Sequence, residues 1–199
     1  MTSSNNRESQ YPIDKIFLDR WSPRAYSNET MPEKDLLTIL EAAHWAPSAS
    51  NLQPWRFVYA LRGSENWDKF LDLLIEFNQG WAKSAAALLF VISRTHSGEL
   101  GSAEQKPSYS HSFDAGTAWG FLAMQAHLAG YAAHGMGGFH VEKSYEVLGI
   151  PEGFRVETAV AIGKIGDKNQ LPEKLREREV PNHRNPLSEV AFNGTFIAK

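Results

Sequence analysis

Three short segments of the chain group residue types suited to holding a flat, anionic ligand. Arg20-Trp21-Ser22-Pro23-Arg24-Ala25-Tyr26 sets two arginines four apart with a serine between them. That spacing suits a phosphate and a second anionic point, both reached by charge-assisted hydrogen bonds. Taken alone, such a heptapeptide is more often a solvated basic turn ahead of a helix. In Ala46-Pro47-Ser48-Ala49-Ser50-Asn51-Leu52-Gln53-Pro54-Trp55-Arg56-Phe57, small residues allow backbone to approach a planar group. Ser48, Asn51 and Gln53 can hydrogen-bond its edge, although a plain helix-to-strand connection also uses Pro and Ser. The third segment, Gly135 to Phe139, either exposes backbone N–H groups to a ligand or makes a tight turn.

Absent signatures narrow the chemistry. The chain has no G-x-x-x-x-G-K-[ST] phosphate loop, no H-E-x-x-H helix and no G-x-S-x-G elbow. Gly135-Met136-Gly137-Gly138 follows a predicted helix and lacks the third glycine of a dinucleotide fingerprint, so a Rossmann mode is excluded. With no cysteine there is no disulfide scaffold, thiolate nucleophile or Cys-ligated metal. His134 and His140 flank the glycine segment and His111 precedes Asp114 by three, without a recognisable ligand spacing, so no metal site is assigned. A net charge of −3, with no dense Lys/Arg run, speaks against nucleic acid. Met1 to Gln10 is polar and unlike a signal peptide, and the longest apolar run, Ala85 to Ile92, is too short to cross a bilayer. The expectation is a soluble cytoplasmic protein with no membrane partner.

Several elements must position these segments. Residues 1–12 read as a disordered tail and 13–199 as one domain, since no repeat or composition break divides them. Leu36, Leu37, Leu40 and Ala43 predict a helix over 32–46, with Pro32 at its first position and Pro47 beyond its end. Arg56 to Leu61 predicts a strand. Ser64 is placed as the cap of a second helix carrying Trp67, Phe70, Leu71 and Leu74. Ala85 to Ser93, uniformly apolar, predicts a buried strand. Arg94 to Ser112 has no periodicity and reads as a lid or disordered loop.

Phe113 to Tyr131, apolar nearly all round, predicts a central buried helix. A glycine turn over 135–139 and a short helix over 141–148 follow. Val156, Thr158, Val160 and Ile162 predict a strand, and Glu173 to Val180 a charged helix. The tail from Pro181 to Lys199 carries Leu187, Val190, Phe192, Phe196 and Ile197, too apolar to hang in water, so a neighbouring subunit is one candidate for its cover.

In this order the segments resemble the nitroreductase family of flavoproteins, which carry R-x-S-x-R, P-S-x-x-N-x-Q-P-W, D-x-G and G-x-G-G-F-type motifs. Here these are Arg20 to Arg24, Pro47 to Trp55, Asp114 to Gly116 and Gly135 to Phe139, with a closing Arg-x-Pro-Leu-x-Glu-Val at Arg184 to Val190. The likeness spans roughly residues 14–192. It implies an α+β sandwich, a mostly antiparallel sheet flanked by helices, with the C-terminal tail exchanged in a homodimer and FMN at the interface.

By the same resemblance, Arg20, Ser22 and Arg184 would hold the FMN phosphate and ribityl chain, with Trp21 beside them. Arg24 would lie near the pyrimidine edge, where a cation stabilises the reduced, anionic ring. Pro47, Ser48, Ala49 and Asn51 would approach from the other subunit. Asn78 looks like the family asparagine on the flavin ring, an exposed helix C-cap being its other reading. Backbone at Gly137 and Gly138 would meet N5 and O4. Trp21 and Asn182 depart from residues common at their positions.

The implied reaction is a ping-pong hydride transfer from NAD(P)H through FMN to a nitro compound, quinone or similar small acceptor, with no catalytic side chain required. Tyr109, His111 and Phe113 of the lid would help decide which acceptor enters. Reductive dehalogenation, flavin breakdown and FMN binding without turnover are the alternative readings.

Overall fold

The computed structural model describes residues 5–198; the expected disorder of residues 1–4 falls outside that range. In chain order its elements are α1 (Ile16–Asp19), α2 (Glu33–His44), β1 (Trp55–Leu61), α3 (Trp67–Leu71), α4 (Glu76–Ala82), β2 (Ala87–Arg94), β3 (His96–Ser97) and β4 (Lys106–Pro107). They continue as α5 (His111–Leu128), β5 (Ala132–Met136), α6 (Val141–Leu148), β6 (Phe154–Gly163) and α7 (Glu173–Arg176).

The run Ala-Leu-Leu-Phe-Val-Ile suits a strand covered on both faces, and β2 is that strand. It lies inside a four-stranded antiparallel sheet of order β1-β2-β6-β5. Successive side chains alternate between faces. Leu88, Phe90 and Ile92 point into a cluster with Trp67, Phe70, Leu74 and Trp81, while Leu89 and Val91 pack with Leu36, Ile39, Ala118 and Leu122. Burying each Leu or Phe contributes about 1.5–3 kcal/mol, which makes these two layers the main cohesive term. The architecture is an α+β sandwich with helices on both faces of the sheet.

Between Val91 and Ile92 the β2–β6 register shifts: Val91 faces Thr158 and Ile92 faces Val156, leaving Glu157 as the extra residue of a bulge. The longest helix, α5, rests on α2 and the sheet through Ala115, Ala118, Leu122 and Ala126.

The structure corrects several sequence expectations. The helix expected to carry Trp67 to Leu74 stops at Leu71, because Leu74 bridges to Phe139 and the Ile75 N–H turns to the Gly138 carbonyl, and α4 follows as a further helix. Asn66, not Ser64, precedes α3. Pro32 flanks α2 rather than starting it, and Leu37 faces solvent while Ile39 is buried. Helix α5 is not buried all round: Phe113, Phe121 and Leu128 are 77%, 42% and 67% exposed. Gly135 and Met136 belong to β5, so the glycine turn starts at Gly137. The helix expected to reach Val180 stops at Arg176. Among the described residues no helix is long and apolar enough to cross a membrane.

Candidate functional site

The segment after α1 is fixed from below and behind. Arg20 Nη1 donates to Ser22 Oγ at 3.3 Å. Pro23 is buried, and its carbonyl accepts from His134 Nδ1 at 2.9 Å. The Glu179 carboxylate, 6% exposed, accepts the backbone N–H groups of Arg24 and Ala25 at 2.5 and 2.7 Å. These bonds hold the Arg24 backbone while its guanidinium lies 6.0 Å from the Trp81 ring centroid. Arg24 Nε is buried with no protein acceptor, a donor awaiting a partner.

Trp81 in turn packs on His134, ring centroids 4.8 Å apart, and on buried Tyr26. Burial first, and then nearby Arg24, holds His134 below the usual imidazole range against the opposing hydrogen bond to Pro23. Burial likewise pushes the Tyr26 hydroxyl far up, so it serves only as a donor to the Ala161 carbonyl at 3.0 Å.

Asn78 is not a helix cap. It sits within α4 and is 8% exposed. Its Nδ2 donates to the Gly138 carbonyl at 2.9 Å, and its Oδ1 accepts from Trp81 Nε1 at 3.2 Å. The Asn78 amide thus ties the glycine turn to the Trp81–Arg24 pair and keeps one N–H free. The two glycines differ sharply. A Cβ on Gly138 would lie 2.6 Å from Asn78 Nδ2 and 2.7 Å from Ile75 Cδ1, so this position admits no side chain without displacement. Exposed Gly137 has nothing within 4 Å of such a Cβ, leaving clear space above the turn.

At the other end of the segment three arginines converge. Burial lowers the pKa of Arg20 and Arg184 lowers it further; Arg7 is affected the same way by burial, Arg184 and Arg20. None of the three forms an ion pair with a carboxylate among the described residues. Exposed Arg184 donates to the His183 carbonyl at 3.1 Å and more weakly to Asn182. Asn182 is also held by Arg7, a residue that its polar surroundings left unmarked in the sequence. Partly buried Trp21 follows Arg20 directly. A cavity of about 810 Å³ lies between residues 7–18 and the tail, with Arg7, Tyr11, Phe17 and Arg184 in its wall.

The proline-serine segment forms a separate constellation. Ser48 Oγ accepts the Gln53 N–H at 3.0 Å, and the Ala49 N–H reaches Asp114 Oδ2 at 3.2 Å, beside Ser110 Oγ at 3.0 Å. Ser50, Asn51 and Gln53 all take positive φ, 49°, 55° and 47°, which L-residues rarely adopt. Pro47, Ala49 and Asn51 present exposed surface. Among the described residues no hydrogen bond joins this turn to the Arg20–Arg24, Asn78 and Gly138 set; α5 carries it instead.

The 94–112 segment, expected as a lid or disordered loop, contains the β3–β4 hairpin. Tyr109 and Phe113 are fully and largely exposed, whereas His111 is engaged: Ser93 Oγ donates to Glu157 Oε1 at 2.5 Å, so His111 Nδ1 donates to Ser93 Oγ at 2.7 Å. Ser112 also donates to Glu157. The bulge that frees Glu157 from strand pairing had no signal in the sequence. Among the described residues no group of three or more His, Asp or Glu is placed to hold a metal ion.

Comparison with known proteins identifies the family. The chain is similar over its full length, and that of its match, to a crystal structure of an oxidoreductase containing FMN, at 62% identity and a TM-score of 0.95. A nitroreductase family protein from Streptococcus pneumoniae TIGR4 shares the fold at 22% identity, with a TM-score of 0.71 over 90% of this chain and 98% of that one. An NADH dehydrogenase from Thermus thermophilus is 29% identical over 88% of this chain and 92% of its own length. The sequence profile of the nitroreductase family matches residues 18–164, from Leu18 ahead of the paired arginines to Lys164 after β6. The chain belongs to the nitroreductase family.

Proposed function

We propose that this family oxidoreductase binds FMN and works as a homodimer, carrying hydride from NADH or NADPH to a small acceptor such as a nitro compound or quinone. The observation that carries the reading is the convergence of Arg20 and Arg184 without an ion-paired carboxylate, at one end of a segment whose other end, Arg24, joins Trp81, Asn78 and the Gly137–Gly138 turn. The residues present fit the cofactor. Uncompensated guanidinium groups suit its phosphate, the orphan Arg24 Nε suits a ring carbonyl, and the clear space at Gly137 suits a flat ring.

Arg20, Ser22 and Arg184 would hold the phosphate, with Trp21 flanking it. Arg24, steadied by Glu179 and Trp81, would face the pyrimidine edge, where its charge favours the reduced ring. Asn78 would use its remaining N–H on the ring, and the backbone at Gly137 and Gly138 would face the atoms where hydride arrives. The turn of Pro47, Ser48, Ala49 and Asn51 would complete the site of a second copy. Bound FMN supplies the two-electron chemistry, so the protein contributes position, electrostatics and exclusion of water.

The homodimer is supported by the outward stripe of α5. Phe113, Phe121 and Leu128 are exposed there, while Gly116 and Gly120 leave room for close approach of another backbone.

The test is an absorbance spectrum of the purified protein, then anaerobic addition of NADPH and NADH in turn. Flavin bands that bleach with either donor are the expected result. A colourless protein that fails to take up added FMN would overturn the reading, and a flavin that neither donor reduces would leave binding without turnover.

A further inference from the structure

Arg7 stands thirteen residues before Arg20 and far in sequence from the tail, yet its guanidinium joins both. Nη1 donates to the carbonyls of Leu18 and Arg20 at 3.0 and 2.8 Å, Nε to the carbonyl of Asn182 at 2.8 Å, and Nη2 to Asn182 Oδ1 at 3.3 Å. These four bonds use nearly all of the planar five-donor fork. Arg7 therefore has little left for a ligand. Arg20 is the reverse case: it gives one bond inside the protein, to Ser22, and most of its fork is unspent.

The geometry points to Arg7 as a positioning residue of the anion site: it clamps the backbone of Arg20 to the tail two residues before Arg184, so that both cations are held at the spacing of one phosphate. The inference rests on the phosphate reading above. It adds that Asn5 and Arg7 support the cofactor site, and that Arg7 acts through hydrogen-bond geometry rather than charge.

Three features support it. None of the three cations is ion-paired with a carboxylate among the described residues, Glu8 of the same cavity wall included, so their mutual repulsion has to be opposed by other bonds. Arg7 is only partly exposed, and its pKa is lowered first by burial and then by Arg184 and Arg20, as expected of groups facing one another. Asn5 adds a second tie, donating from Nδ2 to the Leu18 carbonyl at 2.9 Å. Lysine keeps the charge but has a single ammonium centre, which cannot span carbonyls on two segments in a plane.

The experiment measures the affinity of the full-length apoprotein for FMN and for riboflavin, which lacks the phosphate, in wild type, Arg7→Ala and Arg7→Lys. Wild type is expected to prefer FMN strongly. Both variants should lose about tenfold in FMN affinity, about 1.4 kcal/mol, while riboflavin affinity stays within about twofold.

If wild type does not prefer FMN, the phosphate reading itself has failed. If wild type discriminates and Arg7→Ala discriminates equally, Arg7 positions nothing and the inference is overturned. It is also overturned if Arg7→Lys matches wild type while Arg7→Ala does not, since charge would then be the operative property. Equal loss of both ligands, the signature of a damaged fold, likewise counts against it.

Discussion

Glu179 holds the backbone of Arg24, 155 residues earlier in the chain, with one carboxylate oxygen accepting the N–H groups of both Arg24 and Ala25. A buried N–H deprived of its acceptor costs about 1–3 kcal/mol. Glu179→Ala is therefore expected to destabilise the protein by about 2–4 kcal/mol, and Glu179→Gln, which keeps one acceptor, by about 1 kcal/mol. Chemical denaturation checks this; a loss below about 0.5 kcal/mol for the alanine variant would show the anchor to be dispensable.

The glycine pair separates packing from function. Gly138→Ala drives a Cβ into Asn78 and Ile75 and should cost about 1–3 kcal/mol. Gly137→Ala meets nothing, so its stability should stay within about 0.5 kcal/mol of wild type, while flavin reduction slows because a methyl group intrudes where the ring would lie. Melting curves beside anaerobic stopped-flow reduction read both. Equal melting losses would contradict the packing, and unchanged reduction in Gly137→Ala would place the ring elsewhere.

His134 links stability to pH. Its folded pKa lies below the ordinary 6.5, chiefly through burial, so between the two values the unfolded chain binds more protons. The stabilisation is complete above about pH 6.5 and is lost as pH falls toward and through the folded value. Urea unfolding of wild type and His134→Gln at pH 8 and pH 5 tests the sign: the advantage of wild type should shrink in acid. A pH-independent difference would rule out a depressed His134.

Removing the tail after Val180 takes away Arg184, Asn182 and the apolar residues Leu187, Val190, Phe196 and Ile197, which are exposed in the single chain. Sedimentation of the truncated protein is expected to give a monomer or an apoprotein. A flavin-loaded dimer would count against tail exchange and against Arg184 at the phosphate.

Deleting residues 98–106 removes the tip of the β3–β4 hairpin and Lys106 of β4 without touching any proposed flavin contact. The profile of accepted nitro compounds and quinones should change while bound FMN is retained. An unaltered profile would remove the lid from acceptor choice.

What the sequence made legible was local chemistry. Arg20 to Arg24 and Pro47 to Trp55 stand out through their joint order with the other motifs rather than singly, and β2 because a short, uniformly apolar run between polar residues suits a buried strand. Tertiary effects were hidden. Gly135 reads as a turn, yet pairing with Val160 draws it into β5, where a Cβ would come 3.2 Å from Trp119. Glu179 lies in a charged run that looks solvated, and only its partner across the chain reveals it as buried. Asn78 left two readings open, a cap or a ring contact; the Gly138 carbonyl, sixty residues away, and the Trp81 indole in its own helix show that its amide is engaged inside the fold. Arg7 sits in a polar stretch whose composition implies disorder, and its four acceptors lie on two distant segments.

The turn at Ser50, Asn51 and Gln53 holds three left-handed residues where glycine would be the relaxed choice, each costing about 1–3 kcal/mol. Asp114, Ser48 and the start of α5 keep that conformation in place. The energy is therefore spent once, when the chain folds. In the cofactor arrangement proposed above, a ligand docking on this surface would meet a preset mould, and less of its binding free energy would go to ordering a loop. Relaxing the mould with Ser50→Gly would give a more stable but softer enzyme, trading rigidity at the point of contact for comfort in the backbone.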